Sequence, residues 1–272
     1  MSGWRKQPIG DLPLYQARII AGLPNITQGF TTRDGGVSAA PYDTLNLGSQ
    51  VADAPDAVGT NRQRLWSNIG FTEAQTALAE QVHGNQIAIV TVGTGISPTA
   101  GVDALITDTP GVLLMLFYAD CVPIYLADPV KKIIGLVHAG WRGAAANIAA
   151  KTVRTMAEEF GTRPETCLTA IGPCIGGESY EVGPEVADRF RSMPSARSGN
   201  AVMPRSEFSG TYNLNLRQVV FGQLLGAGIR AASIAVCDED TYRNQRDFFS
   251  YRRDGVTGRM AAFLGMKETK TE

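Results

Sequence analysis

GVLLMLFYADCVPIYLADPVKKIIGLVH, residues 111–138, is the stretch that decides the fold. Three of its segments, GVLLMLFY (111–118), VPIYLA (122–127) and KIIGLVH (132–138), have strand length and are apolar at consecutive positions. A strand with one wet face alternates apolar and polar residues, so an unbroken apolar run predicts a central strand covered on both sides. The turn Asp128-Pro129-Val130-Lys131 predicts a hairpin centred between Pro129 and Val130. In that register Cys121 and His138 are direct cross-strand partners on one face, with Cβ atoms about 4.5–5.5 Å apart. A slip of one residue would send them to opposite faces. Pro123, which cannot donate to a ladder, predicts an edge or a bulge beside them.

To either side the periodicity changes. Asp56–Ile69 reads as a helix stopped by Gly70, and Thr72–Glu80 as a second short helix. Gly143–Phe160, Gly183–Arg191 and Asn215–Gly226 read as helices, and TCLTAIG (166–172), ASIAVC (232–237) and the carboxyl end as strands. QARIIAGL (16–23) and ITQGFTTR (26–33) are expected strands, followed by a turn-rich loop over 33–50. Residues 192–210, rich in Ser, Gly and Pro, predict a surface excursion. Strands and helices interleave without a strict rhythm. The expected fold is therefore α/β, a layered α-β-α sandwich with a mixed β-sheet. It is expected as a single domain over residues 1–272, with 1–15 as a flexible amino-terminal segment.

Composition narrows the function. With 25 basic and 26 acidic residues there is no cationic excess to hold nucleic acid or an anionic membrane. The longest apolar run, Gly111 to Ala119, is too short to span a bilayer, and MSGWRKQPIGDLPLY lacks a signal-type apolar core. Cys121, Cys167, Cys174 and Cys237 are widely spaced with no CxxC pair, which predicts reduced thiols and a cytoplasmic protein.

The chain has only two histidines, His83 in QVHGNQ and His138 before AGWRG, each at a glycine-flanked junction. With Cys121 they make three ligands, the number that a catalytic zinc takes from protein while keeping one position open. The same types also occur as an inert buried thiol and hydrogen-bonded packing histidines, so spacing leaves both readings open. After His138, AGWRGAAAN turns a strand into a helix, where free N–H groups and Arg142 favour an anion such as phosphate. Trp141 there can stack on a planar ligand or cover the core.

Blocks along the chain resemble the YfiH-type family, also called laccase-domain or polyphenol-oxidase-like. They are FTTRDGGVSAAPYDTLNLGSQVADAPDAVGTNRQRL (30–65), QVHG (81–84), DALITDTPGV (103–112), YADCVPIYLADP (118–129), HAGWRG (138–143), GPCIG (172–176) with YEVGPEV (180–186), and FFSYRRDGVTGRMA (248–261). The resemblance runs from about Gln16 to the carboxyl terminus. It implies a metal centre of His83, Cys121 and His138, which would also be the catalytic trio. It places Arg33 and Arg142 near the pocket as phosphate or ribose contacts. No catalytic role is inferred for Cys174.

The activity implied is purine nucleoside phosphorolysis with adenosine deamination, on adenosine, inosine or methylthioadenosine, with purine nucleoside and phosphate as small-molecule partners. No nucleic-acid or membrane partner is expected, and the chain is expected as a monomer or small homo-oligomer. Zinc is the expected cofactor, with copper(II) as the alternative. Two histidines cannot furnish a multicopper oxidase, although His₂Cys is also the blue-copper set. The HxE…PCxxC deaminase signature is missing. Asp120, beside Cys121, is therefore the candidate acid/base group, or a residue that orients a metal ligand, and a further substrate contact. The rivals are a cysteine hydrolase editing peptidoglycan precursors, with Cys121 as nucleophile and His138 as base, a copper polyphenol oxidase, and a non-enzymatic scaffold with structural zinc.

Overall fold

A computed structural model describes residues 3–91, 97–197, 200–206 and 210–268. In chain order its first elements are β1 (Trp4–Ile9), β2 (Leu12–Ala17), α1 (Arg18–Ala21), β3 (Ile26–Thr31), α2 (Pro55–Ile69), β4 (Thr76–Leu78), β5 (Ile87–Ile89), β6 (Ala104–Thr107), β7 (Leu113–Tyr118), β8 (Val122–Asp128) and β9 (Ile133–Ala139). Then come α3 (Trp141–Ala145), α4 (Ile148–Phe160), β10 (Leu168–Ile171), β11 (Glu181–Val182), α5 (Pro184–Arg191), α6 (Pro194–Arg197), β12 (Val202–Pro204), β13 (Tyr212–Leu214), α7 (Leu216–Gly226), β14 (Ile234–Val236), α8 (Tyr251–Asp254) and β15 (Met260–Met266).

Two mixed six-stranded sheets, β1-β2-β3-β15-β7-β4 and β14-β10-β8-β9-β6-β5, carry the fold, with a small sheet β11-β13-β12 beside them. The two-residue period of a strand sorts side chains into layers. In the second sheet Val122, Ile124, Leu126 and Val137 pack under α4 and α7. Tyr125, Leu136 and Ile134 point the other way, onto Leu114, Leu116, Ala262 and Leu264 of the first sheet. On that sheet's far side Met115, Phe117 and Phe263 meet Leu65, Trp66 and Ile69 of α2. The order is helix, sheet, sheet, helix. Proline at the start of α2 and left-handed Gly70 after it (φ 75°) fix that helix's ends.

The α/β class and the central strands agree with the sequence, since β7, β8 and β9 are buried at every position. One expected sheet becomes two because of three residues. β7 belongs to the first sheet and β8 to the second, so Ala119–Cys121 carries the chain across, with Asp120 at φ 101°. A run apolar on both faces is equally satisfied between a sheet and helices or between two sheets, and the sequence does not tell these apart.

The hairpin forms, in a shifted register. His138 pairs with Pro123, and Asp128 with Ile133. The loop is Pro129–Lys132, in which Asp128 Oδ1 accepts the Val130 and Lys131 N–H groups and Lys132 is left-handed, φ 57°. The displacement along β8 is two residues, an even number, so Cys121 keeps the face of His138. Pro123 marks neither edge nor bulge. It faces Gly172, one residue past the end of β10, whose N–H it accepts at 2.9 Å, so the missing donor removes only a terminal rung.

Other expectations are corrected. Most of residues 1–15, expected to be flexible, forms the β1–β2 hairpin; Lys6 Nζ and Tyr15 Oη donate to Asp247 at 2.6 and 2.7 Å. The strand expected at 16–23 ends at Ala17 and gives way to α1. Thr72–Glu80 is a single capped turn followed by β4, which pairs parallel to β7. Gly143–Phe160 is broken at left-handed Asn147, φ 62°, into α3 and α4. The expected excursion at 192–210 contains α6 and β12, and its residues 198–199 and 207–209 lie outside the described residues. Among the described residues no helix is long and apolar enough to cross a membrane.

Candidate metal centre and cleft

The ligand atoms of His83, Cys121 and His138 lie within 4.8 Å of one another. The two imidazole rings stand 77° apart in plane with centroids at 4.9 Å. Cys121 rides on the crossover between sheets. His138 points from β9 into the rim of the inter-sheet core, where its ring meets Tyr118 at 5.3 Å. His83 comes from the loop after β4 and is itself left-handed, φ 59°.

That loop is held from both ends. The Gln81 amide donates to the Phe117 carbonyl and accepts the Phe117 N–H, both at 2.8 Å, extending the β4–β7 pairing by side chain. Asp103, just before β6, accepts the N–H groups of His83 at 3.0 Å and Gly84 at 2.7 Å. Asp103 Oδ1 also lies 2.8 Å from His138 Nδ1; a proton there leaves Nε2 free to face a metal. The glycines of HAGWRG are required by crowding. A Cβ on Gly140 would lie 3.0 Å from His83 Cδ2 and 3.2 Å from Cys121 Sγ, and one on Gly143 would lie 2.7 Å from the Gly84 carbonyl.

Burial disfavours charge on Cys121, but His138 and His83 outweigh it and bring the thiol down to about 6. Burial also opposes charge on His138, yet Cys121 and Asp103 raise it to about 9. The direction is toward thiolate, the form that binds metals. Bonds of about 2.0–2.3 Å at tetrahedral angles would put donors about 3.3–3.8 Å apart, so a modest side-chain contraction brings the trio onto one ion. The donor set fits a borderline-soft transition metal.

The cluster opens on a cleft of about 510 Å³, within the range of small-molecule sites, with Gln81, Trp141, Arg142, Tyr180, Arg252 and Arg259 among its walls. Arg142 lies over Trp141 at 4.5 Å and Arg252 over Tyr180 at 4.7 Å. Asp120 also lines the cleft, but its carboxylate is occupied by the Thr241 and Ser250 hydroxyls and the Arg252 N–H. Arg33 is not among the lining residues. It bonds the Asp43 carbonyl and carboxylate and the Gln245 carbonyl, packed 4.7 Å over Phe249. Cys174 is fully buried in the helix-side core. Arg253 is spent on the carbonyls of Thr241, Tyr242 and Phe248.

Asp103, Gln81, Tyr180 and Arg259 were not singled out from sequence. Gln81 had a signal, being inside QVHG. Asp103 opens the block DALITDTPGV, Tyr180 opens YEVGPEV and Arg259 lies in FFSYRRDGVTGRMA, so each had a motif around it, but nothing in spacing ties Asp103 to His138.

A family profile described as multi-copper polyphenol oxidoreductase laccase matches residues 27–267. A Deinococcus radiodurans protein named purine nucleoside phosphorylase is 42% identical, covering 94% of this chain and 93% of its own. The Geobacillus stearothermophilus purine nucleoside phosphorylase YlmD is 41% identical over 89% of this chain and 91% of its own. A solved structure of Bacillus licheniformis hypothetical protein YfiH superposes with a TM-score of 0.91 at 34% identity, covering 98% of this chain and all of that one. The chain therefore belongs to the multi-copper polyphenol oxidoreductase laccase family, the YfiH-type family.

Proposed function

We propose that this chain is a metal-dependent purine nucleoside enzyme. It would cleave adenosine, inosine or methylthioadenosine with phosphate to free base and pentose 1-phosphate, and deaminate adenosine. One observation carries the reading: a His–Cys–His cluster shares its cleft with Arg142, Arg252, Arg259 and Tyr180, in a chain 42% identical to a protein named purine nucleoside phosphorylase.

Phosphorolysis needs an anion held against C1′ and a flat surface for the base. Guanidinium forks at Arg142 and Arg252, stacked on Trp141 and Tyr180, suit phosphate, and the apolar ring edges beside them suit a base. A phosphate oxygen bonds to C1′ while the C1′–N bond breaks and its electron pair leaves with the base. Preorganised guanidinium groups stabilise the charge redistributed in that step. The assigned ion is zinc, with copper(II) open to the same donors; when bound at His83, Cys121 and His138 it would supply Lewis-acid polarisation at the cleft floor. Asp120, with its carboxylate already occupied, is assigned to holding the cleft wall and Arg33 to holding a loop.

A second reading has its own support. With Asp103 on Nδ1 of His138 and Cys121 beside the ring, the order Cys–His–Asp matches that of a cysteine hydrolase. The test is to incubate metal-quantified protein with adenosine, with and without phosphate, and chromatograph the products. Adenine only with phosphate means phosphorolysis, and inosine means deamination. Neither product from fully zinc-loaded protein would overturn the proposal. Amide hydrolysis that resists chelation but stops on thiol alkylation would favour the hydrolase.

A further inference from the structure

We infer that Asp103 is the positioning residue of the metal centre, a single carboxylate that brackets two of its three ligands. It is fully buried and absent from the cleft lining, so it acts through other residues and touches no substrate. Its Oδ1 is shared by the His138 ring, 2.8 Å from Nδ1, and the His83 N–H at 3.0 Å. Its Oδ2 takes the Gly84 N–H at 2.7 Å and the Val82 N–H at 3.3 Å. The backbone repeats the linkage: the Asp103 carbonyl accepts the His138 N–H at 2.8 Å, and the Asp103 N–H donates to Gln86 at 2.9 Å.

The His83 loop needs such a bracket. Val82 and His83 are exposed, and a left-handed histidine is a sparsely populated conformation that persists only where surroundings over-determine it. Three N–H groups converging on one carboxylate supply that determination before any ion arrives. The same anion fixes the His138 ring through Nδ1 and leaves Nε2 for the metal. Both ligands are thus aimed from one point, and the centre is preformed.

This rests on the metal-dependent reading of the site, and its readouts do not depend on which substrate is turned over. Asp103→Ala and Asp103→Asn are stripped of metal and titrated with zinc against a chromophoric chelator. Both should bind about 10–100-fold more weakly than wild type. Asparagine does not rescue, because its single carbonyl oxygen cannot serve the ring and all three amides, and its NH₂ confronts a donor. Affinity within twofold of wild type in a folded variant overturns the inference. A second measurement covers variants that fail to fold: in metal-free wild type the His83 and Gly84 amides should exchange slowly with deuterium despite their exposed loop. Exchange at the unprotected rate overturns the inference equally.

Discussion

The two walls of the cleft are built on different plans. Behind the His83–Cys121–His138 cluster one carboxylate, Asp103, gathers a loop and a ring within hydrogen-bonding distance of itself. A second part of the lining, the front wall that carries Tyr251 and Arg252, is held by a net drawn from both ends of the chain. Asp120 takes Thr241, Ser250 and the Arg252 N–H at 2.7–3.0 Å. Asp247 takes Lys6 and Tyr15 from the amino-terminal hairpin, and Arg33 reaches the Gln245 carbonyl at 3.3 Å. A compact bracket concentrates loss at one residue, whereas a net spreads it. Damage behind should therefore appear as lost metal, and damage in front as weakened turnover with the metal retained.

The sharpest break comes from Cys121→Ala, expected to abolish both stoichiometric metal binding and turnover, read by metal analysis and product chromatography. A variant still holding one ion per chain at wild-type affinity would dissolve the distinction. In the front wall, Asp120→Ala leaves two hydroxyls and the Arg252 N–H without their acceptor, costing about 1–3 kcal/mol. Metal content should stay at wild type while kcat/KM falls about tenfold, the scale of a displaced positioning contact. Loss of metal in that variant would show the walls to be one unit. Gly140→Ala is a smaller intrusion from behind. Its methyl would crowd His83 and Cys121 at 3.0 and 3.2 Å, so metal affinity should drop several-fold while overpacking of about 1–3 kcal/mol lowers the melting temperature by a few degrees.

Of the back wall, the His83–Cys121–His138 trio was legible in sequence, because each member sits in a short motif at a strand end or turn and because hairpin parity survives an even register shift, whereas Asp103 behind it was not. His138 and Cys121 stayed on one face although their pairing was misplaced by two residues. The front wall was not legible. Nothing in the spacing of residues 6, 15, 33, 120, 241 and 247 announces that they converge, since the contacts form only after two sheets close on each other. Arg33 and Arg142 make the point together. Both lie in glycine-rich blocks and both read as anion contacts, yet one guanidinium is bonded to a loop and a distant carbonyl and the other lies over Trp141 at the cleft. Substitution by alanine should separate them. Arg142→Ala is expected to raise the KM for phosphate several-fold with the melting temperature unchanged, and Arg33→Ala to lower that temperature with the KM for phosphate unchanged.

The smallest expected effect tests whether the net reaches the amino-terminal hairpin. Burial pushes the Asp247 carboxyl up, but the Lys6 ammonium and the Tyr15 hydroxyl outweigh burial and hold it below the ordinary carboxylate range. A carboxyl depressed in the folded state makes the unfolded chain bind more protons as pH falls, so its stabilisation is present above about pH 4 and disappears through the more acidic range. Asp247→Asn keeps an acceptor for Tyr15 but forfeits the charge facing Lys6, whose side chain is 36% exposed, so the loss at neutral pH is about 1 kcal/mol or less. Thermal melting from pH 7 to pH 3 should show the variant below wild type by roughly 2–4 °C at neutrality. The two curves should draw together toward acid, as the wild-type carboxylate begins to take up its proton. Parallel curves across that range would mean that Asp247 contributes packing alone, and that the hairpin lends the front wall no charge.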